Sequence, residues 1–330
     1  MKIKFRYLKN RFLGEYDYYH RKIFARNRPE VFAIELTNFC NLNCAMCPRK
    51  IMKRQVGFMK FELFKNIIDQ IKGYNDFVWL HFLGESLFHP QLDLFISYCA
   101  DRGVKPFLST NATTLTEEIS MNILKSKLER LILCLDGTTE ATYEKLRVCS
   151  SFNKTKRNIL NFLELKKELH KLKPYSILQI IQMNNTEKEI EEFKKLWGDL
   201  ADEVIVKSFA TWAEQEEKIR DLAKEEHKFF PFRKERCSCF LLWRNVVINW
   251  NGDVVPCCLD FDGKNVLGSV NKSSLYEIWN SKKMLKLREK HIKGIYDMQP
   301  CDKCAEWIGN RKDDLYPFSR HFITKVKCKI

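Results

Sequence analysis

Between Val31 and Phe209, short β-rich apolar runs alternate with amphipathic helical stretches, and this alternation narrows the choice of fold more than any other feature of the chain. The predicted strands are Val31–Leu36, Phe77–Leu83, Lys105–Ser109, Leu131–Leu135, Ser176–Gln182 and Glu203–Val206. Helical periodicity fills the intervals near 60–72, 89–102, 116–127, 153–171 and 187–198. Strands separated by helices in this order build βαβ units, in which each crossover returns the chain to the same end of the sheet and the strands run parallel. Such sheets bind ligands outside the carboxyl ends of their strands, so the residues that follow each strand are the candidate site. At 330 residues and 45% hydrophobic composition, the chain can fill one large core with a small satellite domain.

The stretch after the first strand reads Thr-Asn-Phe-Cys-Asn-Leu-Asn-Cys-Ala-Met-Cys-Pro and places Cys40, Cys44 and Cys47 in a C-x3-C-x2-C loop. Three thiolates on a four-iron cluster leave one iron open to an outside chelating ligand, which turns an electron carrier into a reaction centre. Zinc also favours thiolates at such spacing, but a closed zinc site needs a fourth ligand, and the loop holds no further Cys, His or Asp. Its place at the end of a βα strand is where cofactors bind.

The chain has thirteen cysteines, an odd number in short spacings, which fits metal ligation in a reducing compartment better than a disulfide framework. The opening Met-Lys-Ile-Lys-Phe-Arg lacks a secretory signal and no run is long and apolar enough to span a bilayer, so a cytoplasmic location is expected. A formal net charge of +15 points to an anionic partner: a phosphorylated or nucleotide-linked small molecule, nucleic acid or an acidic surface. A lysine-rich composition with no partner explains it equally well.

Three regions are expected: a basic aromatic arm over 1–30 with nine Lys/Arg against three acids, a barrel over 31–230, and a cysteine-rich domain over 231–330. The last has a charged helical stretch near 212–228 leading into it. Within it lie Cys237, Cys239, a hairpin signalled by Asn251-Gly252, and a helix near 273–291.

Taken together, the Cys40/Cys44/Cys47 loop, the six βα units and the C-terminal cysteines resemble a radical S-adenosylmethionine (SAM) enzyme with a SPASM or twitch extension. The match spans about 31–305. The resemblance implies a partial (β/α)6 barrel with a small auxiliary-cluster domain. It implies a [4Fe-4S] cluster whose open iron binds SAM, and an external one-electron reductant of the flavodoxin or ferredoxin type. SAM is then cleaved to a 5′-deoxyadenosyl radical that abstracts hydrogen from substrate. Leu83-Gly84-Glu85-Ser86 is similar to the family's Gly-Gly-Glu-Pro, with Leu83 and Ser86 departing from it, and gives Gly84 and Glu85 the SAM amino group. Ser109-Thr110-Asn111 resembles Ser-Thr-Asn-Gly and implicates Ser109 and Asn111 in ribose or carboxylate contacts, although such residues also serve ordinary turns. Met46 takes the adenine position. Asp136-Gly137 with Tyr143 and Arg147 is similar to the family's Asp-Gly…Tyr-x-x-x-Arg run; Asp136 faces substrate or ribose, or caps a helix, and Arg147 faces an anionic group. Gln179 and Gln182 point inward from the fifth strand.

Cys239, Gly252, Cys257 and Cys301-x2-Cys304 resemble the opening and middle of the SPASM pattern, which in full has seven cysteines; here Asn310 stands at the next expected position and only Cys328 follows. Four thiolates complete one cluster, so one auxiliary [4Fe-4S] cluster on Cys239, Cys257, Cys301 and Cys304 is expected, with zinc on the same thiols and Cys237 in place of Cys239 as alternatives. Cys258 is left over beside a ligand, as a buried thiol or a hydrogen donor. Cys99, Cys134 and Cys149 read as core or helix residues, and His81 and His89 as structural.

The leading expectation is net two-electron oxidation of a small, anionic, polyhydroxylated sugar or cyclitol-like substrate. An epimerase using Cys258 and a peptide-modifying SPASM enzyme are the alternatives within the class. The thirty residues before Val31 are too few to fold a leader-binding domain. A zinc-binding nucleic-acid module is the alternative outside the class, and would bind RNA or DNA in a salt-sensitive way.

Overall fold

The computed structural model describes residues 2–223 and 236–304, with side chains from Phe5 onward. In chain order its elements are α1 (Lys2–Tyr19), β1 (Glu30–Ile34), α2 (Phe61–Ile71), β2 (Phe77–Trp79), α3 (Leu92–Asp101), β3 (Lys105–Thr110), α4 (Glu117–Lys125) and β4 (Arg130–Cys134). There follow α5 (Glu140–Leu146), α6 (Phe152–Glu168), β5 (Tyr175–Gln182), α7 (Ile190–Trp197), β6 (Glu203–Ser208) and α8 (Glu217–Arg220). The C-terminal part holds β7 (Asn245–Ile248), β8 (Asp253–Val255), β9 (Gly268–Ser269), α9 (Leu275–Trp279) and α10 (Lys282–Ile292).

All six expected strands form and lie in one nine-stranded sheet of order β6-β5-β4-β3-β2-β1-β7-β8-β9. Strands β1 to β6 pair parallel with their neighbours, as βαβ crossovers require. This is the partial (β/α)6 barrel. The sheet does not stop at β1: β7 pairs with it in parallel, Val31 opposite Val246 and Ile34 opposite Ile248, before β8 and β9 add on antiparallel. The domain division expected near residue 230 falls outside the described residues, and the sheet runs across it.

Hydroxyl N-caps start the helices where the sequence places them. Thr116, Thr139, Ser151 and Ser281 each accept a backbone N–H in the first turn of α4, α5, α6 and α10, and Ser274 forms a full capping box with Glu277 at α9. The single helix expected near 273–291 is two, because Ser281 caps a fresh start after Trp279. Helix α5 is an addition to the expected elements. Of the charged helical stretch expected near 212–228, the described part is one short turn at Trp212–Glu214 followed by α8, and the remainder lies outside the described residues. The Asn251-Gly252 hairpin forms with positive φ at Gly252 alone (+88°), as a turn closed by Gly252 N–H to Asn249 O at 2.9 Å.

Within the basic arm, Lys2–Tyr19 form an 18-residue helix that docks on the C-terminal part. Gly14 meets it so closely that a Cβ there would lie 2.7 Å from Trp243 O. The Tyr18 ring stands edge-on to Trp243 and Phe240, and the Trp243 indole donates to Lys22 O at 2.7 Å.

Strand alternation splits the core. Val78, Leu80, Leu108, Leu131, Leu133, Leu178 and Ile180 face the helices and pack with Phe64, Phe95, Phe162 and Phe193. The alternate residues Ala33, Trp79, Phe107, Ile132, Cys134, Ile177, Val247 and Val255 line the inner face of the sheet. A third cluster, formed by Leu42, Cys44, Met46, Leu146, Met183 and Phe209, wraps the cysteine loop.

Candidate metal centres and cofactor site

The cysteine loop leaves β1 through Thr37 and Asn38, which anchor it to the returning chain. The Thr37 hydroxyl donates to Gly57 O at 2.7 Å, and the Asn38 amide takes Gly57 N–H at 3.0 Å and gives to Gln55 O at 2.9 Å. Farther on, Asn43 N–H donates to Val148 O and Ala45 N–H to Leu146 O, tying the loop to the end of α5. The three thiols converge. Burial first, then the neighbouring thiols Cys44 and Cys40, push the Cys47 thiol up to about 12. Burial, Glu85 and Cys44 likewise raise Cys40.

Side-chain donors reach two of these sulfurs. Asn111 Nδ2 lies 3.8 Å from Cys40 Sγ and Arg147 Nη1 lies 3.7 Å from Cys44 Sγ. Met46 is buried, and its carbonyl accepts the Trp212 indole N–H at 3.1 Å. The turn after β2 presses on the loop: Gly84 has φ +83°, and a Cβ there would lie 2.4 Å from Thr37 O and 2.7 Å from Asn38 Cα, so only glycine fits. Glu85 is buried and both its oxygens are engaged, Oε1 by Leu87 N–H at 3.2 Å and Oε2 by Asn111 N–H at 2.7 Å. Burial raises its pKa against those hydrogen bonds. Glu85 thus ties the β2 turn to the end of β3 beside Cys40.

Asp136 and Arg147 do not stand as two separate groups. The Arg147 guanidinium grips Asp136 Oδ2 through Nη2 at 2.6 Å and Nε at 2.8 Å, and Asp136 Oδ1 takes Ile181 N–H at 2.8 Å. Burial opposes the Arg147 charge, but Asp136 and the thiols of Cys44 and Cys134 hold it protonated. Thr139, not Asp136, caps α5. Ser109 turns its hydroxyl to Cys134 Sγ at 3.1 Å on the inner face, and Gln179 Nε2 reaches the same sulfur at 3.5 Å. Cys134, read from sequence as a core residue, therefore lines the barrel interior; Cys99 is buried against Val104 O and Cys149 is exposed.

Three segments bring the second thiol set together, carrying Cys239, Cys257 and the Cys301/Cys304 pair. Burial and then Cys304 push Cys239 up to about 12, and burial and then Cys239 do the same to Cys301. Cys257 is raised by burial and by Cys258, Cys301, Cys304 and Cys239. The Cys239 N–H donates to His291 Nδ1 at 3.2 Å. Cys237 is held in a disulfide, which leaves Cys239 to the set. Cys258 packs against the inner-face cluster, so this thiol looks from the second set into the barrel. Asn310 and Cys328 lie outside the described residues.

Buried thiols that raise one another cannot all ionise unaided; the positive irons of an iron–sulfur core are what make such a set into ligands. Three thiols fit a cluster with an open iron, and four fit a closed one. Among the described residues no three His, Cys, Asp or Glu side chains converge tightly enough to clasp a single ion.

Sequence spacing did not expose Trp212, which reaches the loop from 166 residues away, or Arg54, which links the loop's exit to the C-terminal part. Arg54 binds the fully buried Glu35 at 2.8 Å and Phe261 O at 2.8 Å.

The comparisons agree with this geometry. A tungsten-containing aldehyde ferredoxin oxidoreductase cofactor-modifying protein of Pyrococcus furiosus is 22% identical over 308 residues, 82% of this chain and 86% of its own. An S-adenosyl-L-methionine-dependent 2-deoxy-scyllo-inosamine dehydrogenase of Niallia circulans is 24% identical over 262 residues, 78% of this chain and 84% of its own. Streptococcus suis SuiB, in its crystal structure bound to precursor peptide SuiA, shares the fold with a TM-score of 0.64 at 14% identity, over 84% of this chain and 70% of that one. No described helix is long and apolar enough to cross a membrane. The family model for the SPASM iron-sulfur cluster-binding domain matches residues 237–305, and that for the radical SAM superfamily matches 34–196. With a SAM-binding [4Fe-4S] cluster implied by the radical SAM match and auxiliary iron–sulfur clusters by the SPASM match, the chain belongs to the radical SAM superfamily and carries a C-terminal SPASM domain.

Proposed function

We propose that the protein oxidises a small, anionic, polyhydroxylated substrate of sugar or cyclitol type by two electrons, fed by an external one-electron reductant of the flavodoxin or ferredoxin type. Residues 31–230 form the catalytic barrel, and 231–330 the auxiliary-cluster domain with one cluster on Cys239, Cys257, Cys301 and Cys304. The observation that carries this reading is the place of that four-thiol set: its neighbour Cys258 packs on the inner face of the barrel, so an electron acceptor borders the substrate space. When bound, SAM on its cluster supplies a hydrogen-atom acceptor and the auxiliary cluster a one-electron acceptor, so an alcohol that loses a hydrogen atom, a proton and an electron leaves as a ketone.

The chain's own residues hold and shield that chemistry. Cys40, Cys44 and Cys47 ligate the first cluster, with Arg147 and Asn111 directed at two of their sulfurs. Gly84 allows the β2 turn to approach the loop, Glu85 fixes that turn to Asn111, and the unused lone pairs of its carboxylate serve the SAM amino group. Met46 takes the adenine. Asp136 positions Arg147 instead of touching substrate, and Arg147 answers the SAM carboxylate. Ser109 belongs to the substrate side of the site, facing the interior with Cys134.

The Niallia circulans dehydrogenase supports the oxidation. The interior position of Cys258 favours a second reading, an epimerase in which this thiol returns a hydrogen atom. Anaerobic reconstitution with SAM, dithionite and candidate polyols distinguishes them. Oxidation gives 5′-deoxyadenosine together with a product two hydrogens lighter, and Cys258→Ala leaves that yield largely intact. A product of unchanged mass in H2O and one unit heavier in D2O, lost in Cys258→Ala, overturns the oxidation in favour of epimerisation.

A further inference from the structure

We infer that the inner face of the barrel carries an oxyanion cradle built from Trp79, His81 and Lys207, which seats the acidic group of the substrate. The inference rests on the proposed sugar-like substrate but not on the fate of that substrate.

The inner face is layered. At the bottom, Phe77 stacks on Phe107 at 4.7 Å and 9°, and Trp79 meets Phe107 edge-on at 5.1 Å. Above this aromatic floor, His81 stands edge-on to Trp79 at 5.1 Å. Its Nδ1 accepts Ser109 N–H at 3.1 Å, which assigns the ring proton to Nε2 and leaves a donor facing the interior. Burial, and next the charge of Lys207, lower the His81 pKa to about 3, so the ring stays a neutral donor. The Trp79 indole N–H is a second donor. Trp79 is 3% exposed and Nε1 has no acceptor among the described residues. An unmet buried N–H is costly, and a ligand oxygen is the group that removes the cost.

Lys207 supplies the charge. It sits on the edge strand β6 opposite Ile181 and two residues after Ile205, which packs on the inner-face cluster, so the exposed Lys207 side chain leaves the same face of the sheet at its rim. Among the described residues it has no ion-pair partner. The polar atoms between these donors are already paired, Ser109 with Cys134 and Gln179 with Cys134, and Asp136 is held by Arg147. Among the described residues, what remains on this face is donors and positive charge with no unpaired carboxylate beside them. Such a surface takes oxygen atoms and an anion, a carboxylate or phosphate on a polyol, and rejects an ammonium group.

The test is isothermal titration of the anaerobic reconstituted protein with 6-phosphogluconate, which carries both anions, with gluconate, and with neutral sorbitol. The cradle predicts saturable binding of at least one anionic probe, none of sorbitol, and at least a tenfold loss in Lys207→Gln and in Trp79→Phe, which deletes only the N–H and the ring it is fused in. Comparing gluconate with 6-phosphogluconate tells carboxylate from phosphate. Absence of binding by both anions to the wild-type protein, or binding that survives both substitutions, overturns the cradle. The oxidation is read separately, from two-hydrogen loss coupled to 5′-deoxyadenosine in wild-type protein, so either idea can fail without the other.

Discussion

Replacing Arg54 by methionine tests whether one buried ion pair couples the exit of the cysteine loop to the C-terminal domain. In the native protein Arg54 holds both oxygens of Glu35 at 2.8 Å and Phe261 O at 2.8 Å, while Lys53 N–H and Arg54 N–H donate to Asp262 Oδ1 at 2.6 and 3.1 Å. Glu35 is wholly buried. In Arg54→Met its carboxylate keeps only Trp250 N–H at 3.3 Å. Breaking one side of a buried pair costs about 3–5 kcal/mol. Loss of the Phe261 hydrogen bond adds about 1 kcal/mol, so a deficit of about 4–6 kcal/mol is expected. Urea unfolding of the reconstituted protein under nitrogen, followed by circular dichroism, reads it. Glu35→Gln combined with Arg54→Met should recover half the loss or more. A deficit below about 1 kcal/mol, or a double variant worse than Arg54→Met, would refute the reasoning.

Three shorter predictions accompany it. Cys44→Ala should lower iron from about eight to about four per chain and abolish 5′-deoxyadenosine formation, whereas Cys301→Ala should lower iron equally and spare SAM cleavage; equal loss of cleavage in both would contradict the division of the two thiol sets. Gly84→Ala places a Cβ 2.4 Å from Thr37 O at φ +83°, so beyond about 1–2 kcal/mol of backbone strain it should displace the segment leading to Cys40 and reduce iron loading, as counted after reconstitution. His81 titrates near 3 when folded and near 6.5 when unfolded, so acidification through that window costs the folded state up to about 1.4 kcal/mol per pH unit, and stability should fall less steeply between pH 6.5 and 4.5 in His81→Gln.

The six strands and the cysteine loop were legible because their signals are local: period-two alternation, hydroxyl caps, and thiols a few residues apart. Pairing across distance was not. The pairing of β1 with β7 sets Glu30 opposite Asn245, and no spacing announces a parallel partner that far along the chain. Asp136 and Arg147 each carried a family motif, yet only packing shows that they pair with one another and that Arg147 also reaches Cys44. Glu85 shows the same limit, since its backbone partners come from its own turn and from β3. The aromatic arm carried no helical stripe because Phe and Tyr recur all round it; packing of Tyr18 against Trp243 accompanies the helix that forms there.

Strand β1 belongs to both halves of the molecule. It is hydrogen-bonded to β2 on one edge and to β7 on the other, so the loop with Cys40, Cys44 and Cys47 and the hairpin that leads to Cys257 leave one continuous sheet. A slip of register at β1 would therefore displace residues of both thiol sets at once.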